Sequence, residues 1–435
     1  MKSFFLLCIA AATLAAQDSN SDSGNITRSI TAGSEFFDHD FVNFYVYGNG
    51  VWDSRVPNGL SSTGQEVYGS DLGWEAGGGV TATHTFSDGG ITVNYRGSYR
   101  DYQSSTSGSG QQQSLALAYQ KRLNRRWTLS AFASGAILGY GSSYFSTSAG
   151  SSITPGSPFG LESRFANAGL SLTYEQTRRL SYVFTGSLLI NTYSYGSAAN
   201  TPGAIDSRGV NGGASLLYRL TAKTTIGATY NRSDFWYSPN AGTSAVDSVS
   251  LTLSHKFPEH WQIDLSAGIN RVHSAGTAEL PVTFLFDGQT LLAYYLVPYN
   301  RTIYSPAFQG VLSHSLRRSV VSISGGQSVM AGNGLFLASR DQFANAALSY
   351  STRRTNLSFG LNFTRLSSVS TDINSTYSYY GLSASYGVNL VRYVSANFRY
   401  DLLHYNQLFT QGNFNESRIS FGLSLSSKSV PLTLF

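Results

Sequence analysis

The chain has one cysteine, few charged residues and no long apolar run after its first residues. Cys8 lies inside the apolar stretch 4–12, which follows Lys2 and precedes the small residues of 13–16. A positive, an apolar and a small-residue region in this order predict a secretory signal peptide over residues 1–16. The mature chain then has no cysteine, which excludes disulfides, cysteine nucleophiles and thiolate metal sites.

Beyond residue 16 there is no run of about 18 apolar residues, so the sequence excludes a membrane-spanning helix. Charged residues make up 12% of the chain, about half the usual share of a soluble globular protein, whereas aromatic residues make up 14%. This composition suits a wall between lipid and water, although a large soluble β-sandwich or β-solenoid shares it. The net charge of +5 forms no basic block, so nucleic acid is not an expected partner.

One sequence pattern recurs eight times after the predicted signal peptide. An alternating strand ends in an aromatic residue or histidine, a short polar turn follows, and a second alternating strand begins, as in 172–182 and 348–359. Eight such turns predict sixteen strands, and further strands near 39–47 and 416–426 raise the number to about eighteen, within a range of 16–20.

Longer connections rich in Ser, Gly and Asn alternate with the short turns, for example 141–160 and 237–245. In a soluble β-sandwich, nothing would force the turns into two length classes. The alternation therefore predicts an all-β fold, a transmembrane antiparallel up-and-down β-barrel over residues 39–435.

With these features the chain resembles bacterial outer-membrane β-barrels of the porin-like kind over essentially its whole mature length. The resemblance rests on the two turn classes, on aromatic residues beside the short turns such as Tyr119 and Trp127, and on a C-terminal aromatic, Phe435. It implies an integral outer-membrane location, contact with outer-membrane lipids and insertion by the barrel assembly machinery. The segment 17–38, rich in Ser, Asp and Asn, is then a flexible periplasmic tail.

A barrel of about eighteen strands is too wide for side chains to fill, which predicts a wet lumen. Charged residues of the parity opposite to the aromatic positions should line it: Arg96, Arg100, Glu175, Arg219, Lys256, Asp264, Arg399 and Asp401. Charges of both signs imply no strong selectivity. The alternative is that these residues only stabilise the wall by pairing across strands.

The connection 274–305 is both the longest and the most apolar of the outer links. We predict that it forms a hairpin too short to span the membrane comfortably, which folds into the lumen as a constriction or lid, packs on neighbouring loops or binds a partner. Insertion of this hairpin into the membrane would give twenty strands. Its candidate lid residues are Phe284, Phe286, Tyr294 and Tyr295.

The expected function is an outer-membrane channel for hydrophilic solutes or a secreted polymer, with no catalysis, cofactor or metal. Alternatives are a polysaccharide export channel with periplasmic partners, a non-conducting structural or adhesive barrel, and a barrel enzyme at the membrane rim. A barrel enzyme would use histidine with Ser, Asp or Asn at the rim or on the lipid face, and the candidates near outer strand ends are His273 and His404. No nucleophile motif or phosphate loop accompanies them.

Overall fold

The computed structural model describes residues 40–60, 66–104, 109–139, 162–194, 205–238, 242–286, 289–331, 337–369, 376–407 and 412–427. The predicted signal peptide and tail, and Phe435, lie outside these ranges. Within them, no helix is long and apolar enough to cross a membrane.

The described residues form a single antiparallel sheet of eighteen strands. Each strand pairs with its neighbours along the chain, and the first strand also pairs with the last, so the sheet closes into a barrel. The prediction of an all-β antiparallel up-and-down barrel is confirmed. The strands are β1 (Phe41–Leu60), β2 (Glu66–Phe86), β3 (Gly89–Tyr102), β4 (Gly110–Arg122), β5 (Trp127–Leu138), β6 (Glu162–Glu175), β7 (Leu180–Ser194), β8 (Asp206–Arg219), β9 (Thr224–Ser238), β10 (Gly242–Lys256), β11 (Trp261–Phe286), β12 (Gln289–Ser315), β13 (Ser319–Ala331), β14 (Ala338–Ser351), β15 (Thr355–Ser368), β16 (Thr376–Val391), β17 (Val394–Gln407) and β18 (Gly412–Ser426).

Seven of the eight predicted short turns lie where the sequence predicts them. The eighth, predicted at 387–389, is wrong in position: β16 continues to Val391 and the turn lies at 392–393. Four of the seven correctly placed turns share one hydrogen-bond pattern. The side-chain oxygen of the first turn residue accepts hydrogen bonds from the backbone N–H groups two and three positions later; this residue is Asn124, Thr177, Thr221 or Thr352. Asn and Thr favour such turns because their short side chains reach their own backbone. The repeated polar turn residues therefore set where the strands reverse.

The first strand is held at its turn-side end by Asp40. Its carboxylate accepts hydrogen bonds from the Thr85 hydroxyl and the Thr85 backbone N–H, both at 2.6 Å, and its second oxygen lies 2.9 Å from His84 Nδ1. Because these bonds favour the ionised form, the Thr85 hydroxyl first among them, the pKa of Asp40 lies below its usual value. Asp40 thus joins the start of β1 to β2.

Two neighbouring tyrosines of β1 fit over glycines of β2. Tyr45 and Tyr47 lie directly opposite Gly79 and Gly77 in the register. A Cβ atom at either glycine would come within 2.7 Å of a tyrosine ring carbon. Side chains are therefore excluded at these two positions because the tyrosine rings occupy the space.

The hairpin predicted within 274–305 is present, but the prediction that it belongs to a long outer link is wrong. Strands β11 and β12 pair without interruption from Trp261↔His314 to Phe286↔Gln289, so this segment extends two wall strands and the number stays at eighteen. Its β-branched and aromatic residues favour strand, and 287–288 is an Asp-Gly dipeptide that suits a two-residue hairpin turn. The side chains of Phe284, Phe286, Tyr294 and Tyr295 lie outside the described residues, so their role as a lid stays a prediction.

The link predicted over 237–245 is also mostly strand. Strand β9 continues to Ser238, β10 begins at Gly242, and Tyr237 pairs with Gly242 in the register. Aromatic and small residues at this end continue the ladder, so the two strands extend almost to the connection between them.

One face of the barrel carries an apolar band. Side chains of one parity are the more exposed, and they are large and apolar; Leu251 is 68% and Leu170 59% exposed. On several strands this outward apolar run covers nine residues, for example 91–99, 166–174, 182–190, 210–218 and 261–269. Nine to eleven residues is about the length of a tilted β-strand that crosses a bilayer.

Polar residues bound this band at the end opposite the short turns. The next outward residue after the apolar run is charged on many strands, as at Asp101, Arg164, Arg208, Arg232, Asp247, Arg271 and Arg365. At the turn end, the boundary carries aromatic residues and histidines, for example Trp261 stacked on His314 with ring centroids 4.2 Å apart. The outer surface is therefore an apolar belt between two amphipathic or polar rims.

Candidate functional site in the barrel lumen

The inner face of the barrel is polar. Its buried residues are mostly Ser, Thr, Asn and charged side chains, which alternate with the apolar outward positions along each strand. On β8 and β9 they bond across strands, as in Asn211 Nδ2 donating to Ser233 Oγ at 3.0 Å and Ser215 Oγ lying 3.0 Å from Thr229 Oγ1. A polar inner face suits water and hydrophilic solutes.

The charged part of the inner face includes the seam where β1 meets β18. Asp53 lies opposite Arg418 in the register, and Arg418 donates from both Nε and Nη2 to Asp53 Oδ2, at 2.9 and 2.7 Å. Glu416 Oε1 lies 3.4 Å from the same guanidinium, and Tyr102 donates its hydroxyl to Asp53 at 3.2 Å. We call Asp53, Tyr102, Glu416 and Arg418 the seam cluster. Their side chains are almost fully buried, so the cluster fastens the first strand to the last.

A second ion pair lies on the next two strands. Glu75 and Arg100 are opposite each other on β2 and β3, with Arg100 Nη2 2.5 Å from Glu75 Oε2. The Tyr47 hydroxyl donates to Glu75 Oε1 at 2.9 Å and accepts from Arg96 Nη2 at 3.1 Å. This chain of contacts links β1, β2 and β3 across the inner face. Glu75 and Arg100 therefore neutralise each other across adjacent strands, and Arg96 is held by the Tyr47 hydroxyl.

Arg55 lies nearby, towards the outer end of β1. The Arg55 guanidinium lies between two aromatic rings, 3.9 Å from the Tyr68 centroid and 3.8 Å from the Phe414 centroid. Stacking of this kind holds a guanidinium in place while its edge stays able to donate hydrogen bonds.

The eight residues predicted to line the pore are all on strands, with parity opposite to the apolar band. They do not form one group. Arg96 and Arg100 join the Tyr47–Glu75 contacts, Arg399 pairs with Asp401 at 2.7 Å, and Asp264 accepts from Gln262 at 2.8 Å. The others, Glu175, Arg219 and Lys256, lie at turn-side strand ends. Their role as pore-lining residues stays a prediction.

Sequence reasoning missed Asp53, Glu75, Glu416 and Arg418. The predicted first strand ended near residue 47, whereas β1 continues to Leu60, so Asp53 fell outside it. Extending the period-2 alternation from Tyr45 and Tyr47 would have placed Asp53 on the inner face. Its pairing with Arg418 requires the closed register and has no local signal.

The wall splits between β12 and β13 at the outer end of the barrel. Their ladder stops at Phe308↔Gln327, although β12 continues paired with β11 and β13 continues paired with β14 as far as Ala331↔Ala338. Pro306 lies at the split and has no N–H to donate, which suits a strand edge. Its carbonyl accepts from the Gln327 side chain at 3.1 Å in place of a backbone partner.

Beyond this split, the outer ends of β13–β15 lie inside the barrel. Val246 and Val272 belong to the inner faces of β10 and β11, yet they pack against Ala338 and Val369, with Val329 at the edge of the same cluster. Nearer the short turns, β13 residues of the same parity as Val329, such as Ile323, face outward. The outer face of β13–β15 therefore covers the inner face of β10 and β11, and we call these strand ends the inner layer.

A hydrogen bond anchors the inner layer to a further strand. The Tyr237 hydroxyl at the end of β9 donates to the Leu337 carbonyl, one hundred residues along the chain. Ala338, next to Leu337, is completely buried. The inner layer thus occupies part of the lumen and narrows its outer half.

The histidines at the outer strand ends lie on the outward parity, apart from each other. His273 Nδ1 lies 3.1 Å from Thr302 Oγ1, and His404 Nδ1 lies 2.6 Å from Asn415 Oδ1. Within the described ranges, no group of three or more His, Cys, Asp or Glu residues is placed to hold a metal ion.

No protein-family model matches the chain, and no curated protein matches it. Among solved structures it is similar to Pseudomonas aeruginosa OpdQ, at 12% identity and a TM-score of 0.40 over 92% of this chain and 100% of that one. It is similar to a BenF-like porin from Pseudomonas fluorescens Pf-5, at 13% identity and a TM-score of 0.41 over 90% and 100%. The ferric citrate transporter FecA gives 11% identity and a TM-score of 0.42 over 85% of this chain and 60% of that one. The fold assignment rests on the strand pairings of this chain itself.

Proposed function

We propose that the protein is an integral outer-membrane channel that lets small hydrophilic solutes cross passively. The observation that carries this proposal is the opposition of the two barrel faces: a closed eighteen-stranded wall with a nine-residue apolar band outside and polar side chains inside. An apolar belt of this height needs lipid, and a polar interior in a barrel of this size holds water. The inward ion pairs lie on β17, β18 and β1–β3, whereas the inward residues of β8 and β9 are mostly neutral apart from Arg219 at the turn-side end of β8.

Export of a polysaccharide is less well supported. A sugar polymer is usually guided by aromatic faces that its rings can stack on. Several tyrosines do have inward parity, but Tyr47, Tyr102, Tyr377 and Tyr405 are each at most 7% exposed. Their faces are covered by neighbouring side chains, so they offer a passing sugar little surface.

Single-channel recording tests the proposed function. Refolded mature protein, residues 17–435, in a planar bilayer is expected to give steady ohmic steps, because water and ions fill a polar lumen. A parallel liposome-swelling assay with neutral sugars of increasing size should show entry of small sugars and exclusion of large ones. Silence relieved by removing residues 278–298 would indicate a gated export channel. Silence in both proteins would favour a structural or adhesive barrel and contradict the proposal.

A further inference from the structure

The outer rim of the apolar band carries a group of arginines on β6, β8, β9 and β11. Arg232, Asp247 and Arg271 occupy one register row across β9, β10 and β11, and Arg208 lies on β8 opposite Trp236. All are the first outward polar residues beyond the apolar run of their strands. If the proposed function holds, this row lies at the headgroup level of the leaflet opposite the short turns, which is the outer leaflet.

The acidic residues of this rim are already engaged. Arg232 bonds Asp234 through Nε and Nη2, both at 3.0 Å, and its Nη1 lies 3.7 Å from Asp247. Asp247 also accepts the Tyr230 hydroxyl at 2.9 Å. Further round, Arg164 pairs with Glu162 at 2.7 Å. These carboxylates are thus held by Arg232, Tyr230 and Arg164, and Asp206, two residues before Arg208, accepts the Tyr193 backbone N–H at 2.8 Å.

Arg208 and Arg271 remain as exposed cations of the rim, and each lies beside an aromatic residue. Arg208 is opposite Trp236, which is 49% exposed, and Arg271 is opposite Tyr304, which is 64% exposed. Both rings lie on the same outward face as their arginine. An arginine offers a planar set of donors that matches phosphate oxygens, and an exposed ring beside it can lie against a sugar face.

We propose that Arg208 and Arg271 bind the phosphate groups of a phosphorylated glycolipid in the outer leaflet, with Trp236 and Tyr304 against its sugars. Three strand spacings of about 4.8 Å and a tilt of about 40° put the two Cα atoms roughly 19 Å apart at one height. Extended towards each other, the two arginine side chains bring their guanidinium groups closer together than their Cα atoms. This inference rests on the proposed function for the orientation of the barrel.

The test titrates detergent-refolded protein with diphosphoryl lipid A and counts bound lipid per barrel by native mass spectrometry. The double variant Arg208→Ala/Arg271→Ala should bind about thirtyfold more weakly, since each of the two arginines at a charged lipid surface contributes about 1 kcal/mol. The Arg208→Lys/Arg271→Lys variant should retain part of the affinity. The matched control is Arg178→Ala/Arg353→Ala, whose exposed arginines lie at the turn-side rim; its binding should equal that of the wild type.

Dephosphorylated lipid A should bind the wild type and the Arg208→Ala/Arg271→Ala variant equally. Unchanged affinity of this variant for diphosphoryl lipid A would overturn the inference, as would equal affinity of the wild type for phosphatidylglycerol and lipid A. Conductance of the same proteins separates the two proposals. A protein that conducts but binds no lipid A overturns this inference alone, whereas one that binds lipid A but never conducts overturns the channel proposal alone.

Discussion

Replacing Arg418 by alanine should lower the free energy of unfolding by about 3–5 kcal/mol, because it leaves buried carboxylates without their counter-charge. Arg418 is 5% exposed, and it is bonded to Asp53 and in contact with Glu416 across the seam that closes the barrel. The measurement is equilibrium unfolding in guanidinium of protein refolded into phospholipid vesicles, followed by tryptophan fluorescence.

The matched control for this variant is Arg164→Ala. Arg164 also pairs with a carboxylate, Glu162 at 2.7 Å, but its side chain is 57% exposed, so its loss should cost about 0–1 kcal/mol. Removing all the charges together, in Asp53→Asn/Glu416→Gln/Arg418→Met, should recover much of the stability lost in Arg418→Ala. Equal losses for Arg418→Ala and Arg164→Ala would contradict the structural role assigned to the seam cluster.

Shortening the inner layer should enlarge the pore. Gln327 and Gln342 are opposite each other in the β13–β14 register, so replacing residues 328–341 with Asn-Gly closes this pair with a two-residue hairpin turn. The variant lacks Val329 and Ala338, which attach the inner layer to β10 and β11. We expect a single-channel conductance of about twice the wild-type value or more, because the narrowed outer half of the lumen opens.

The companion variant leaves the inner layer intact and shortens the β11–β12 extension instead. Gly276 and Tyr299 are paired, so Asn-Gly can replace residues 277–298 in the same way. An increase in conductance in the companion alone would place the constriction at the β11–β12 extension. That result would contradict the constriction that we assign to the inner layer.

The strands and short turns could be predicted from sequence because their causes are local. Alternation such as that of 261–270 depends only on which face each residue presents, and the turns at Thr177 and Thr352 are formed by side chains that reach their own backbone. Such signals lie within ten residues of each other. These local signals therefore predict the positions of strands and turns in the folded barrel.

The remaining features depend on contacts between distant parts of the chain. Asp53 and Arg418 become opposite partners only when the barrel closes with one particular register. The alternation of β13 does not change where the inner layer begins, because Val329 continues the parity of Ile323 although this end of the strand lies inside the barrel. The one local sign of the split in the wall is Pro306. The apolar segment 274–305 predicts a short hairpin within an outer link, and only the strand pairing shows that this hairpin continues β11 and β12.

The central claim is that one face of the barrel meets lipid while the other meets water, and a pair of adjacent substitutions on β10 tests it. Leu251 is 68% exposed in the middle of the outward apolar run, and Ser250 beside it has inward parity. Unfolding from phospholipid vesicles should show a loss of about 2–4 kcal/mol for Leu251→Arg, because a cation would lie near the bilayer midplane. For Ser250→Arg the change should stay within about 0.5 kcal/mol. An unchanged free energy of unfolding for Leu251→Arg would mean that the apolar band does not face lipid and would contradict the account.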